Sequence, residues 1–245
     1  KKMKNYIEEY KNVLPSETCD LIINKFNEKT ELVKPGIVTG GILKPEVKNT
    51  LDLALMNSGV STKKEIDLLL SSIMPVLEEG IRSYFIKYNI LPTTGKLSTQ
   101  KGASLLKLND FLEQLVWPRY IVQNQNLHAK KYLPGKNYYH WHCDQEPGVW
   151  GVFCRRLVMM FYLNDVESGG ETEFLNQEIG IKPSKGTLVI FPADFVGRHR
   201  GVTPKSGEKY ILNFWLCERC PPLMREVAQN MDRFYPKPKA TLAAY

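Results

Sequence analysis

The sequence lacks most of the features that settle a class at once. Its longest apolar run covers residues 157–163, far short of the roughly 20 residues a membrane helix needs, so no transmembrane span is expected. The first ten residues, Lys1-Lys2-Met3-Lys4-Asn5-Tyr6-Ile7-Glu8-Glu9-Tyr10, have basic residues but no apolar stretch behind them. They do not read as a secretory leader, which sets a cytoplasmic expectation. Cysteine is sparse: five residues, at 19, 143, 154, 217 and 220, are odd in number and irregular in spacing. That argues for reduced thiols over a disulfide framework, and Cys217-x-x-Cys220 lacks the second pair a zinc site would want. No internal repeat and no dense basic stripe is visible. The net charge of +7 is scattered, so it aids encounter with an acidic partner without naming one, and nucleic acid is not an expected partner. Histidine is the most informative shortage: only four are present, at 128, 140, 142 and 199, so a histidine-built metal site can be assembled in few ways.

What is present is an ordinary globular balance, 43% hydrophobic and 24% charged over 245 residues, which indicates one or two domains. The first hundred residues read mainly as helix. Pro15-Ser16-Glu17-Thr18 opens a helix whose apolar residues Cys19, Leu21, Ile22, Ile23 and Phe26 fall at helical spacing, with Ser16 as the expected cap. Ser61-Thr62-Lys63-Lys64-Glu65 opens a longer one, striped from Ile66 to about Asn89. Residues 33–43, with three glycines and a proline, suggest a loop or a short strand. From about Pro118 the texture changes to β-branched and aromatic runs at 119–123, 157–163, 187–191 and 210–216, separated by turn residues. Such spacing indicates a β-sandwich or barrel.

His142-Cys143-Asp144 carries the first chemistry, because residues two apart on an extended chain point to one side and can grip one ion. A third ligand must come from elsewhere. His199 is the only histidine after 142, in the glycine-flanked segment Gly197-Arg198-His199-Arg200-Gly201. Two histidines and a carboxylate on one face of a metal leave the other face open, as in non-haem Fe(II) oxygenases. Lys209 follows His199 by ten residues across Thr203-Pro204-Lys205-Ser206-Gly207. A hairpin there would bring the amine near the metal without binding it, placed for the far carboxylate of a 2-oxo diacid. Alternation then puts Ile211, Asn213 and Trp215 on the face of Lys209, with Trp215 as a pocket wall. A second pattern overlaps: His140-x-His142-x-x-x-Glu146 has the spacing of a cupin metal motif, although Asp194 and Gly197 stand where its second half would want glycine and histidine.

Taken in order, Tyr132-x-x-Gly135-x-x-Tyr138, His142-x-Asp144, the run from Tyr162-Leu163-Asn164-Asp165 to Gly169-Gly170-Glu171-Thr172, Gly186-Thr187-Leu188-Val189-Ile190-Phe191-Pro192, His199 and Lys209 with Trp215 form a series. It resembles the 2-oxoglutarate and Fe(II)-dependent oxygenases of the prolyl 4-hydroxylase type over about residues 120–217. The resemblance implies an α+β protein: a double-stranded β-helix, the cupin-like jelly roll, at 119–217, a helical region 1–118 packed outside it, and an extension at 218–245. It implies His142, Asp144 and His199 as iron ligands and Lys209 as partner of the distal 2-oxoglutarate carboxylate, with Tyr132 and Thr172 donating to the same group. Tyr132 stands one residue further from His142 than the family spacing, so its neighbours Tyr138 and Tyr139 compete for that role. Arg155 matches an arginine that faces the substrate, with Arg156 as its rival. The implied cofactors are Fe(II), 2-oxoglutarate and O2, with ascorbate as reductant. Decarboxylation to succinate and CO2 would be coupled to C–H hydroxylation, and Asp144, where related halogenases carry a small residue, favours hydroxylation. The implied partner is a protein or peptide containing proline, with residues 146–153, Trp150 among them, as a lid. Two alternatives stand beside this reading: a cupin-type metalloenzyme on His140, His142 and Glu146, and a non-catalytic basic binding protein on the same fold.

Overall fold

A computed structural model describes residues 5–38, 41–91, 98–123, 127–145 and 155–219. The amino-terminal region holds β1 (Glu8–Tyr10), helix α1 (Ser16–Glu28), β2 (Lys34–Pro35), β3 (Lys48–Asn49), β4 (Leu51–Ala54) and helix α2 (Lys63–Tyr88), followed by short helical turns up to Val116. The remainder is strand: β5 (Tyr120–Gln123), β6 (His128–Tyr132), β7 (Tyr138–His142), β8 (Arg155–Tyr162), β9 (Thr172–Phe174), β10 (Ile179–Ile181), β11 (Thr187–Pro192), β12 (His199–Gly201) and β13 (Lys209–Glu218). An eight-stranded sheet runs β1-β11-β8-β13-β6-β4-β2, with β5 also paired to β13, and a five-stranded sheet runs β10-β9-β12-β7-β3. All these pairings are antiparallel. Two facing antiparallel sheets give the α+β jelly-roll core that the sequence implies.

The central strands of the larger sheet read as apolar runs because both of their faces are covered. Leu157, Met159, Phe161, Leu188, Ile190, Leu212, Phe214 and Leu216 point to the helices. Val158, Met160, Tyr162, Val189, Phe191 and Ile211 point to the second sheet. The stripe Leu69, Ile73, Leu77, Ile81, Tyr84 and Phe85 of α2 seals the first layer. Its start follows from a capping box, in which Thr62 Oγ1 accepts from the Glu65 N–H and the Glu65 carboxylate accepts from the Thr62 N–H at 2.7 Å.

Two local expectations change. Helix α1 begins one residue earlier than a Ser16 cap would allow, since the Pro15 carbonyl already accepts from the Thr18 and Cys19 N–H groups and no side chain caps it. The first hundred residues also contribute four strands besides the two helices. Each is two to four residues long, too short to show a period of two in the sequence. They extend both sheets, β1 on β11 and β4 on β6 in the larger, β3 on β7 in the smaller.

Candidate metal centre

Strands β7 and β12 pair at the mouth of the sandwich with His142 opposite His199. Further along, Tyr139 pairs with Gly201, so three steps on β7 are matched by two on β12. This bulge turns the chain so that Tyr139 and His142 share a face, and their rings stack with centroids 3.5 Å apart. His142, Asp144 and His199 each offer one ligand atom, all within 4.8 Å of one another. Each imidazole is held through Nδ1 to the backbone carbonyl two residues earlier, His142 to His140 at 2.7 Å and His199 to Gly197 at 3.0 Å. Donation from Nδ1–H leaves the Nε2 lone pair free for a metal. Asp144 divides its oxygens likewise: Oδ2 accepts from Trp215 Nε1 at 2.7 Å, while Oδ1 lies 3.4 Å from His142 Nε2.

The electrostatics suit a ligand set. Burial, aided by the charge of His142, pushes His199 down to about 3, so it is neutral and able to coordinate at physiological pH. Burial alone would raise the Asp144 carboxyl, but its contact with His142 and the nearby Arg155 charge outweigh that and hold it well below the usual carboxylate range. Two imidazoles and one carboxylate gathered at one point are a donor set that fits Fe(II).

A second group of polar residues lies deeper. Lys209 opens β13 directly opposite Tyr132 of β6 and is 1% exposed. Its Nζ lies 4.9 Å from the Tyr132 ring centroid and 5.5 Å from that of Tyr162. Thr172, also buried, accepts a 2.7 Å hydrogen bond from the Tyr162 hydroxyl, which also lies 3.1 Å from the Ile181 carbonyl, so the Thr172 hydroxyl keeps its own proton to donate. Among the described residues neither the Lys209 ammonium nor the Tyr132 hydroxyl has a hydrogen-bond partner. Buried residues whose donors lack acceptors leave a role for something else to fill. Here the two stand opposite each other on neighbouring strands, with Nζ facing the Tyr132 ring.

The structure also sorts the rival residues. Tyr138 donates its hydroxyl to the Pro45 carbonyl and Tyr139 lies on His142, so of the three tyrosines it is Tyr132 that meets Lys209. Arg155 lays its guanidinium 3.9 Å from the Trp215 ring centroid and donates to the Asp144 carbonyl. Arg156 points outward to Glu218. His140 is exposed, packs against Tyr138 and stays outside the ligand cluster. No histidine could stand at Gly197, where a Cβ would fall 1.9 Å from the Pro192 carbonyl oxygen. Glu146 and Trp150 lie outside the described residues. Sequence reasoning offered Tyr139 only as a rival to Tyr132, the bulge hiding its stack on His142, and missed two neighbours: Lys48, which lies 5.6 Å from the Tyr139 ring centroid, and Lys130, which lies 5.9 Å from that of Trp215.

Residues 127–217 match the family model of the 2OG-Fe(II) oxygenase superfamily. A putative prolyl 4-hydroxylase of Acanthamoeba polyphaga mimivirus is 32% identical over 110 residues, 39% of this chain and 46% of its own length. Prolyl 4-hydroxylase subunit alpha-1 of Gallus gallus is 37% identical over 76 residues, 28% of this chain and 15% of its own. The matched segment thus spans less than half the length of these curated relatives. Among solved structures, a viral collagen prolyl hydroxylase from Paramecium Bursaria Chlorella virus-1, in complex with 2OG, superposes with a TM-score of 0.53 at 22% identity, covering 86% of this chain and 95% of that one. A prolyl hydroxylase from Trichoplax adhaerens, in complex with a hypoxia inducible factor peptide fragment, gives a TM-score of 0.58 at 15% identity, covering 88% and 84%. At such identities these two speak for the fold.

Proposed function

Because residues 127–217 place this chain in the 2OG-Fe(II) oxygenase superfamily, we propose that it is a 2-oxoglutarate-dependent hydroxylase acting on peptidyl proline. The observation that carries this reading is the pairing of the His142, Asp144, His199 cluster with a buried Lys209 on the facing sheet that has no partner among the described residues. Bound Fe(II) would supply open coordination positions where the 2-oxo acid and dioxygen meet. The chain's own part is positioning. His142 and His199 present Nε2, and Trp215 turns Asp144 so that Oδ1 faces the same point. Lys209 binds the distal carboxylate of 2-oxoglutarate as a charge-assisted partner, with the Tyr132 and Thr172 hydroxyls donating beside it. Met160, Tyr162 and Ile211 form a dry wall around that end, which strengthens each of these contacts. Arg155 and Trp215 line the substrate side. The prolyl assignment draws on the curated relatives above, which are named as prolyl 4-hydroxylases.

The test has two stages. Protein reconstituted with iron and ascorbate is expected to convert 2-oxoglutarate to succinate, and His199→Ala and Asp144→Ala are expected to lose both iron and turnover. A proline-rich peptide panel is then expected to yield a product one oxygen heavier by mass. Succinate without any oxygenated peptide would sink the prolyl assignment and leave the oxygenase reading in place.

A further inference from the structure

Lys130 is a buried cation to which the site described so far gives no task. It stands on β6 two residues before Tyr132, with Ile211 of β13 and Asp52 of β4 as its cross-strand neighbours. Only 7% of it is exposed, and among the described residues its ammonium has neither a hydrogen bond nor an ion pair. The ring of Trp215 lies 5.9 Å from Nζ. Both carboxylates in its surroundings are committed elsewhere. Asp52 accepts from Lys48 Nζ at 3.1 Å through Oδ2 and from Thr50 Oγ1 at 2.8 Å through Oδ1. Asp144 gives Oδ2 to Trp215 and turns Oδ1 to the ligand cluster.

A lysine buried to this degree whose ammonium finds no partner among the described residues gains little that offsets its lost hydration. The next residue shows the ordinary solution, since Lys131 pairs with Glu208 at 2.7 Å. Arg155 adds to the imbalance. Its guanidinium lies 3.9 Å from the same Trp215 ring, and its Nε is buried with no hydrogen-bond partner. With Lys209 taken by the distal end of 2-oxoglutarate, Lys130 and Arg155 are left as two cations at the Trp215 side of the cleft that form no ion pair of their own among the described residues. The two cations reach the Trp215 ring from β6 and β8, the strands on either side of β13, and an anion at that ring would meet donors of one sign from both.

We propose that Lys130, with Arg155 beside it, binds a carboxylate of the substrate, so that the enzyme selects prolyl peptides with an acidic group flanking the target. This rests on the hydroxylase reading above. The carboxylate can come from an acidic side chain or from a peptide's own end, and the test separates these.

Three peptides capped at the amino end are compared: a Pro-Glu sequence amidated at its end, the Pro-Gln counterpart amidated, and the Pro-Gln counterpart with a free carboxylate. Wild type is expected to show a KM lower by about tenfold for whichever acidic form fills the site. Lys130→Met and Lys130→Gln are expected to erase that preference, and Lys130→Arg to keep it. Because the ammonium has no partner among the described residues, both neutral variants are expected to melt no lower than wild type and to keep the wild-type KM for 2-oxoglutarate. Equal KM values for the three peptides, or a preference that survives Lys130→Met, would overturn the proposal. A raised 2-oxoglutarate KM in Lys130→Met would overturn it too, by giving the residue to the co-substrate. If no peptide is oxygenated while succinate still forms, the inference falls and the oxygenase reading stands; if no succinate forms, the reading itself falls.

Discussion

Trp215 does for Asp144 what backbone carbonyls do for the two histidines: it occupies the atom that the metal must not take. Trp215→Phe keeps most of the wall and removes only the Nε1–H donor. The outcome expected is a loss of roughly 10- to 100-fold in metal affinity, as for other partners that orient a ligand from outside; an unchanged iron titration would deny Trp215 that role. Lys209 carries a pH dependence. Burial pushes its amine down to about 7, with Glu171 opposing. The protonated form is the one that binds a carboxylate, so the 2-oxoglutarate KM should be flat below that value. Above it the free enzyme deprotonates, and KM climbs by up to about tenfold per pH unit. Lys209→Arg, always charged, should flatten the profile; a profile that stays steep would assign the titration to another group.

At the level of elements, the site depends on how closely two segments approach. Gly197 lets the turn before β12 pass against β11, and a methyl group there would meet the Pro192 carbonyl at 1.9 Å. Gly197→Ala should therefore displace His199, two residues on, and lower both iron stoichiometry and melting temperature. Leu77→Ala on the distant face of α2, fully buried in the helix-side core, should cost about 2–5 kcal/mol in a denaturation series while iron stoichiometry per folded molecule stays intact. The sequence shows these elements unevenly. Strands β8, β11 and β13 are legible because burial on both faces gives them apolar runs, and α2 because its cap and stripe agree. His142, Asp144, His199 and Lys209 are legible because their spacing is chemical. Tyr139 is not, since a bulge in β7 changes which residues share a face. Lys130 is not either: in His128-Ala129-Lys130-Lys131-Tyr132 two adjacent lysines look alike, and only the pleat decides that one turns inward and the other to Glu208.

The molecule as a whole has two apolar layers, and they differ in what closes them. The helix-side layer is sealed by α1 and α2 and is apolar throughout. The layer between the sheets is smaller and runs into the polar cleft, where His199, Lys209, Thr172 and Lys130 are all buried. Ligands therefore complete the second layer. A metal would tie β7 to β12 within the smaller sheet, and 2-oxoglutarate on Lys209, Tyr132 and Thr172 would then join the larger sheet to the smaller one. Binding to the folded state alone stabilises by about 2.7 kcal/mol at a hundredfold excess over Kd, which for a chain of this size is a rise of roughly 5–10 °C in melting temperature. Two additive steps are expected, one with Mn(II) as a redox-silent substitute for Fe(II) and one with 2-oxoglutarate added to the metal-loaded protein. Lys209→Met should keep the first and lose the second, and Asp144→Ala should lose both, because the co-substrate needs the metal as its second anchor. A 2-oxoglutarate step that persists in Lys209→Met would place the distal carboxylate elsewhere in the cleft, with Lys130 as the first residue to examine.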